Sequence, residues 1–253
     1  MLAELEYSRP GLTVRGVSIA ARATSFVIPE FDVVLDVGRL GPATAAHGTV
    51  LLSHGHLDHT AGILAWLNLR ARFHPRDATR VIGPAAVIDP MRQALAVMPG
   101  MESVRKRFDL AAALIGVEPG TIVPVDGGEA EPFAVDHGPA AFGWTLRRTG
   151  QVRAALVYAA DGTVAPFRAD PALLDAEVAI VECTFVEANR RVAAVLSGHA
   201  HIADWLELAP VLTCDTLILA HLPLLPAATL AVAMAPLVAT FGGELVLWAA
   251  PPE

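Results

Sequence analysis

The chain has 253 residues, 54% of them hydrophobic and 17% charged, with 18 Lys plus Arg against 26 Asp plus Glu for a formal charge of −8. This length and apolar content exclude a disordered chain and allow a sizeable core. The acidic balance argues against a protein that wraps polyanions, and the two cysteines, Cys183 and Cys214, exclude a disulfide scaffold or a four-cysteine zinc site.

The opening MLAELEYSRP carries Glu4 and Glu6 and lacks a basic stretch before an apolar run, so no signal peptide is expected and a reduced cytoplasm is the expected setting. Residues 12–20 and 25–38 are rich in β-branched side chains and predict strands, and 49–53 predicts a short buried one. A helix is expected from Thr60, as cap, to about Phe73. Thr79–Pro84 predicts a strand, and Asp89–Val97 and Glu102–Leu114 predict helices, the second with Arg105, Lys106 and Arg107 on its wet side. Strands then dominate through TIVPV, EPFAVDH, FGWTLRR and AALVYAA, with Gly127 and Gly128 marking a turn. EVAIVECTF, DTLILAH and GELVLWA predict buried strands, and Ile202–Leu208 and Ala227–Thr240 predict helices.

No residue from Leu222 to Gly243 is charged, and the mean hydropathy of the chain is +0.49. That stretch is long enough for a bilayer. Pro223, Pro226, Pro236 and its many alanines point instead to a buried helix, and no membrane partner is expected. Strand-rich halves, each followed by helices and with no polar linker, predict an α/β fold of packed sheets with helices outside, in a single domain over 1–253.

The nine histidines are distributed unevenly. Ser53–Gly62 reads SHGHLDHTAG, placing His54, His56, Asp58 and His59 directly after a buried strand. Imidazole nitrogen and carboxylate oxygen are donors that Zn²⁺ and similar cations accept. A loop at a strand end lets such side chains converge, with His54 and His56 on one ion and Asp58 and His59 turned toward a second. His47 and His74 are expected to face solvent, and the two cysteines to be packing residues. Asp36 ends a strand and either supports the metal loop or binds backbone amides.

His54-Gly55-His56-Leu57-Asp58-His59 resembles the HxHxDH signature of the metallo-β-lactamase superfamily. Later segments are similar to its ribonuclease Z branch: DHGPAAFGW (136–144), YAADGT (158–163), VECTF (181–185), GHAHIAD (198–204) and LILAH (217–221). The resemblance runs in order over roughly residues 12–250. It implies the family's αβ/βα four-layer sandwich of two mixed sheets, and a homodimer. It also implies two divalent metal ions, zinc first, with manganese or iron as alternatives. His54, His56 and His137 would hold one ion; Asp58, His59 and His221 the other; Asp161 would bridge, together with a water or hydroxide. Asp58, Glu182 and His199 would be the catalytic groups, with Glu182 and His199 assisting protonation of the leaving group. His201, two residues on, is the alternative donor.

Family members that process transfer RNA commonly insert an RNA-gripping arm between the residues matching His137 and Asp161. Here those residues are 24 apart, with Arg147, Arg148 and Arg153 as the only bases between. The family's glycine-rich opening is replaced by GVSIAARATSF. The expected activity is therefore hydrolysis of small or moderate-size phosphodiesters, with long RNA disfavoured. The alternatives are a promiscuous hydrolase of carboxylic esters, lactones, phosphotriesters or sulfate esters, a transfer-RNA 3′-processing endoribonuclease, and a non-catalytic metal- or ligand-binding scaffold.

Overall fold

The computed structural model describes residues 4–74, 78–138 and 140–249. Its strands are β1 (Leu5–Arg9), β2 (Leu12–Ile19), β3 (Ala23–Ile28), β4 (Val33–Leu35), β5 (Thr49–Leu51), β6 (Arg80–Pro84), β7 (Leu114–Val117), β8 (Val123–Val125), β9 (Gly128–Ala134), β10 (Phe142–Arg148), β11 (Ala154–Tyr158), β12 (Ala176–Glu182), β13 (Thr216–Ala220) and β14 (Glu244–Leu247). They form two seven-stranded sheets, β1-β2-β3-β4-β5-β6-β7 and β14-β13-β12-β11-β10-β9-β8. The first is antiparallel from β1 to β4 and parallel from β4 to β7. The second repeats that scheme, antiparallel from β8 to β11 and parallel from β11 to β14.

The helices are α1 (Pro42–Ala46), α2 (Leu57–Thr60), α3 (Ile63–Phe73), α4 (Ala85–Val97), α5 (Glu102–Arg107), α6 (Leu110–Ala113), α7 (Ala165–Ala169), α8 (Arg191–Ser197), α9 (Ile202–Leu208) and α10 (Ala227–Thr240). Side-chain alternation along the strands makes the layers. Leu35 and Leu51 meet Val178, Ile180 and Trp144 between the sheets. Val34, Val50 and Leu52 point the other way, onto Trp66, Leu67, Ile88 and Leu95 of α3 and α4. Ala179, Val181 and Leu219 pack outward against Phe167, Trp205, Leu230 and Leu237. The inner parallel strands β4, β5, β11, β12 and β13 are thus buried on both faces, which explains their nearly unbroken apolar sequences. The result is an αβ/βα four-layer sandwich. Trp144 and Phe142 are core residues of its middle layer.

Several elements differ from expectation. The 25–38 strand is broken by a 3-10 turn at Pro29–Phe31, where Asp32 takes a left-handed φ of 49°. The expected 60–73 helix is two helices, and Asp58 and His59 lie on α2 rather than on a loop. Helix α4 begins at Ala85, ahead of the expected Asp89. The 102–114 helix stops at Arg107. Asp109 then caps α6 by accepting from Ala111 N at 3.0 Å, and Leu114–Val117 pairs with β6 as a strand. Arg105 is not simply on a wet face: its Nη1 donates to Leu95 O at 3.0 Å and Met98 O at 2.7 Å, closing the C-terminus of α4. His47 does not stand free in solvent, since its Nδ1 meets Asp32 Oδ1 at 2.8 Å. Helix α10 is not a buried helix. Its buried positions are Leu230, Met234 and Leu237, while Val232 and Val238 are exposed. Among the described residues no helix is long and apolar enough to cross a membrane.

Asp204 on α9 ties this helical layer together. Its Oδ1 accepts from Arg191 Nη2 at 2.7 Å and Arg168 Nη2 at 3.0 Å, and its Oδ2 from His201 N at 3.2 Å. Burial pushes its carboxyl up, but the bonds from Arg191, the His201 amide and Arg168 outweigh this and hold it below the usual carboxylate value. Asp204→Asn is therefore expected to destabilise the fold by about 1–3 kcal/mol at neutral pH. With the folded value lowered, the stabilisation is complete above the unfolded value of ~3.9 and is lost as pH falls through the folded one. Urea midpoints of the two proteins should converge in acid; a gap that persists there would show that the carboxylate charge contributes nothing.

Candidate metal centre

The ends of the parallel strands converge on one place, the usual location of ligand sites in sheets of this kind. Asp36 follows β4, Ser53 and His54 follow β5, Asp161 follows β11, Glu182 ends β12 and His221 follows β13. Asp36, Ala160 and His221 adopt left-handed φ values of 58°, 54° and 52°. These turns bend the chain sharply at three strand ends, at a cost of about 1–3 kcal/mol each. Helix α2 is clamped by main-chain bonds from Val37 N to His59 O and from Gly62 N to Val37 O, both 2.8 Å. Gly38 permits this approach, because a Cβ there would overlap the Asp58 carbonyl.

Among the described residues the histidine and carboxylate atoms form four overlapping groups that could hold a metal ion, His54/His56/His137, Asp58/His59/Asp161/His221, His137/Asp161/His199 and Glu182/His199/His221, each spanning no more than 4.8 Å. Asp161 Oδ2 lies 3.4 Å from both His59 Nε2 and His221 Nε2, and 4.0 Å from His54 Nε2. It therefore stands between the first two groups. Asp58 Oδ2 lies 3.3 Å from His221 Nε2 and 3.9 Å from His59 Nε2. His137 Nε2 faces His56 Nδ1 at 3.2 Å.

Each of four histidines has its outward nitrogen tied to an acceptor or hydroxyl, which leaves the inward one as the donor. His59 Nδ1 donates to Asp36 Oδ2 at 2.7 Å. Ser53 Oγ donates to Asp36 Oδ2 at 2.7 Å and lies 2.9 Å from His54 Nδ1. His137 Nδ1 bonds Gly198 O at 2.9 Å. His221 Nδ1 meets Thr184 Oγ1 at 2.8 Å, and that hydroxyl donates to Glu182 Oε2 at 2.7 Å. His54 Nε2 and His59 Nε2 are buried with no hydrogen-bond partner. Two orphaned, inward-facing imidazole nitrogens beside two carboxylates are a donor set that fits a divalent cation.

The electrostatics agree. Burial, and then His59, push His54 down to about 3, so it is neutral and able to ligate. Burial would raise Asp58, but the His221 bond and the His59 charge bring it to about 2. Burial likewise opposes the charge on Asp161, yet His59 and His221 hold it well below the usual carboxylate range. Burial would lower His59, but Asp161 and Asp36 raise it well above the ordinary histidine value. The buried carboxylates thus favour positive charge among them.

Glu182 is a second junction. Its Oε1 accepts from Ala200 N at 2.8 Å and meets His199 Nδ1 at 2.9 Å; its Oε2 accepts from Thr184 N at 2.8 Å. Burial lowers His199, but the Glu182 bond and charge raise it above the usual value. His201 points elsewhere. Its Nδ1 accepts from Ala203 N at 3.0 Å and its Nε2 bonds Glu187 O at 3.0 Å, so it caps α9 rather than facing the cluster. Sequence reasoning singled out neither Thr184, Ser53 nor Tyr158, whose hydroxyl donates to Asp36 Oδ2 at 2.6 Å. None stands at a recognisable ligand spacing.

A family model described as a β-lactamase superfamily domain matches residues 32–222, well over half of the chain. The chloroplastic tRNase Z TRZ2 of Arabidopsis thaliana is 21% identical over 239 residues, covering 82% of this chain and 66% of the relative. The tRNase Z TRZ1 of the same plant is 24% identical over 108 residues, 43% of this chain and 38% of that one. The chain thus spans just under two thirds of the first relative and less of the second. Among solved structures, the metallo-β-lactamase fold protein YhfI from Bacillus subtilis superposes with a TM-score of 0.71 at 17% identity, covering 91% of this chain and 93% of its own. A diphosphatase of the PhnP family superposes with a TM-score of 0.60 at 13% identity, covering 92% of this chain and 83% of its own. With residues 32–222 matched, the chain belongs to the β-lactamase superfamily domain family.

Proposed function

We propose that the chain is a binuclear phosphodiesterase for small or moderate-size phosphodiesters. The observation that carries this is the pair of donor groups meeting at Asp161, with the Glu182–His199 pair beside them. In this proposal His54, His56 and His137 hold one ion, Asp58, His59 and His221 the other, and Asp161 both. Bound there, two divalent ions would lower the pKa of water toward ~7 and stabilise negative charge on phosphoryl oxygens. Zinc suits these donors, and manganese or iron also accept them.

The protein's own groups supply the rest. Asp58 orients the attacking water. As the new P–O bond forms, the bond to the leaving oxygen breaks and that oxygen requires a proton. Glu182 Oε1 fixes His199 through Nδ1, which leaves Nε2–H to donate that proton. The Glu182 bond and charge raise the affinity of that imidazole for its proton, against the opposing effect of burial.

Transfer-RNA processing fits less well. His137 and Asp161 are 24 positions apart, and most of the residues between them belong to β10, β11 and their connection. Arg147 pairs with Glu131 at 2.6 Å, Arg148 with Glu177, and Arg153 with Asp175 at 3.1 Å, so none is offered freely to a phosphate chain. The buried free thiols of Cys183 and Cys214 suit a reducing cytoplasm. A homodimer is also proposed, and sedimentation would test it.

Protein holding two ions should hydrolyse bis(p-nitrophenyl) phosphate; inertness would sink the proposal. His54→Ala should lose both metal and activity. Asp36→Asn should weaken metal binding about 10–100-fold in chelator competition, because His59 loses its orienting carboxylate. His199→Ala should cost about 10²–10⁴-fold in kcat with an alkoxide leaving group and much less with p-nitrophenolate. Equal losses would remove His199 as proton donor. His201→Ala should lower thermal stability and leave the dependence on leaving group intact.

A further inference from the structure

The proposed metal centre separates two hollows. The larger, about 480 Å³, has His54, His56 and His137 on one side and Ala86, Val87 and Ala140 on the other. The smaller, about 240 Å³, is bounded by Ala21 and Leu57 and contains Asp58, Asp161, His199 and His221. His56 borders both. His199 borders only the smaller, so the proton donor reaches an oxygen leaving on that side.

Apart from the donor histidines, the larger hollow is walled by alanine, valine, glycine and a serine. Among the described residues no Lys or Arg lines either hollow. The nearby cations stand outside them: Arg190 lies 5.3 Å over the Phe185 ring, and Arg22 sits in the β2–β3 turn. A nucleotide arm would bring further phosphates or a polar base edge against a wall whose described residues offer no side-chain cation and, beyond the histidines, a single hydroxyl on Ser197, and polar groups left unpaired are costly to desolvate. An apolar arm gains from the same wall. Val87 faces the donor loop across this wall, for its two Cγ atoms lie 3.5 Å from where a Cβ on Gly55 would project.

We infer that the substrate is a phosphodiester whose retained arm is an uncharged apolar group lodged against Ala86, Val87 and Ala140, while a small alcohol departs past Leu57 beside His199. This rests on the phosphodiesterase proposal and adds which arm is recognised and by what. Val87 is then a specificity residue, not a metal-binding one.

The experiment uses three p-nitrophenyl diesters with one leaving group and different retained arms: methyl, phenyl, and thymidine bearing an extra phosphate. For the metal-loaded protein, kcat/KM should be about tenfold higher for phenyl than for methyl and lowest for the phosphorylated arm. Calorimetry should give phenylphosphonate a similar advantage over methylphosphonate in Kd. Val87→Trp, which fills the hollow, should abolish both advantages, the phenyl-to-methyl ratio falling to about one in kcat/KM and in Kd. Equal values for methyl and phenyl, or preference for the phosphorylated arm, would overturn the inference and leave the phosphodiesterase standing. Inactivity on all three diesters would overturn the phosphodiesterase and the inference with it.

Discussion

One buried carboxylate organises the centre. Asp36 has no solvent exposure, and its two oxygens accept from Ser53 N at 2.7 Å, Ser53 Oγ at 2.7 Å, His59 Nδ1 at 2.7 Å and Tyr158 OH at 2.6 Å. Such a charge is tolerated inside a protein only when its lone pairs are filled in this way. Its partners come from different places. Ser53 follows β5 of the first sheet, His59 lies on α2, and Tyr158 ends β11 of the second sheet. The bond network therefore joins the two sheets at the level of the site. It also reaches both donor groups, directly through His59 and by way of Ser53 to His54. The phenol is held protonated, since burial and the Asp36 charge push Tyr158 well above its usual value.

Glu182 does the corresponding work from the second sheet. Through Thr184 it reaches His221, a candidate ligand, and directly it holds His199, the proposed proton donor. The two roles share one carboxylate, so the position of the leaving-group proton is tied to the position of the metal donors. The two sheets repeat one pairing scheme but end their strands differently. The first supplies a supporting acid and the histidine-rich segment; the second supplies Asp161, Glu182 and His221. Chemistry at the seam needs both.

The donor motif could be read from sequence because its spacing is fixed by one short chain segment. The distant candidate ligands His137, Asp161 and His221 are legible only by order, and their convergence depends on strand register that no local pattern encodes. Strand β1 carries little signal of its own, because LEYSR alternates only weakly and pairs at a sheet edge with β2. Strand β7 is ambiguous in sequence, because Leu110–Val117 is one apolar run that fits helix and strand equally, and parallel pairing with β6 decides between them. The uncharged 222–243 segment looked buried because composition counts every face of a helix, whereas α10 buries a single stripe. His199 and His201 could not be separated by spacing. The helix that starts at Ile202 separates them, since a residue at its N-cap must spend its side chain on Ala203 N.

The cost of building this centre explains its form. Asp36, Ala160 and His221 hold left-handed backbones, buried carboxylates face one another, and His54 Nε2 and His59 Nε2 have no hydrogen-bond partner. None of this stabilises the bare polypeptide. The strand ends can bear it because the four layers around them are closely packed, with Leu35, Leu51, Trp144 and Ile180 fully buried beneath. A proton or a cation can satisfy the inward nitrogens, and the neighbouring carboxylates favour the cation with more charge. Two such cations would also reverse the local sign of a protein whose formal charge is −8. The proposed diester substrate would then be held at one point while the rest of the molecule repels a polyanion.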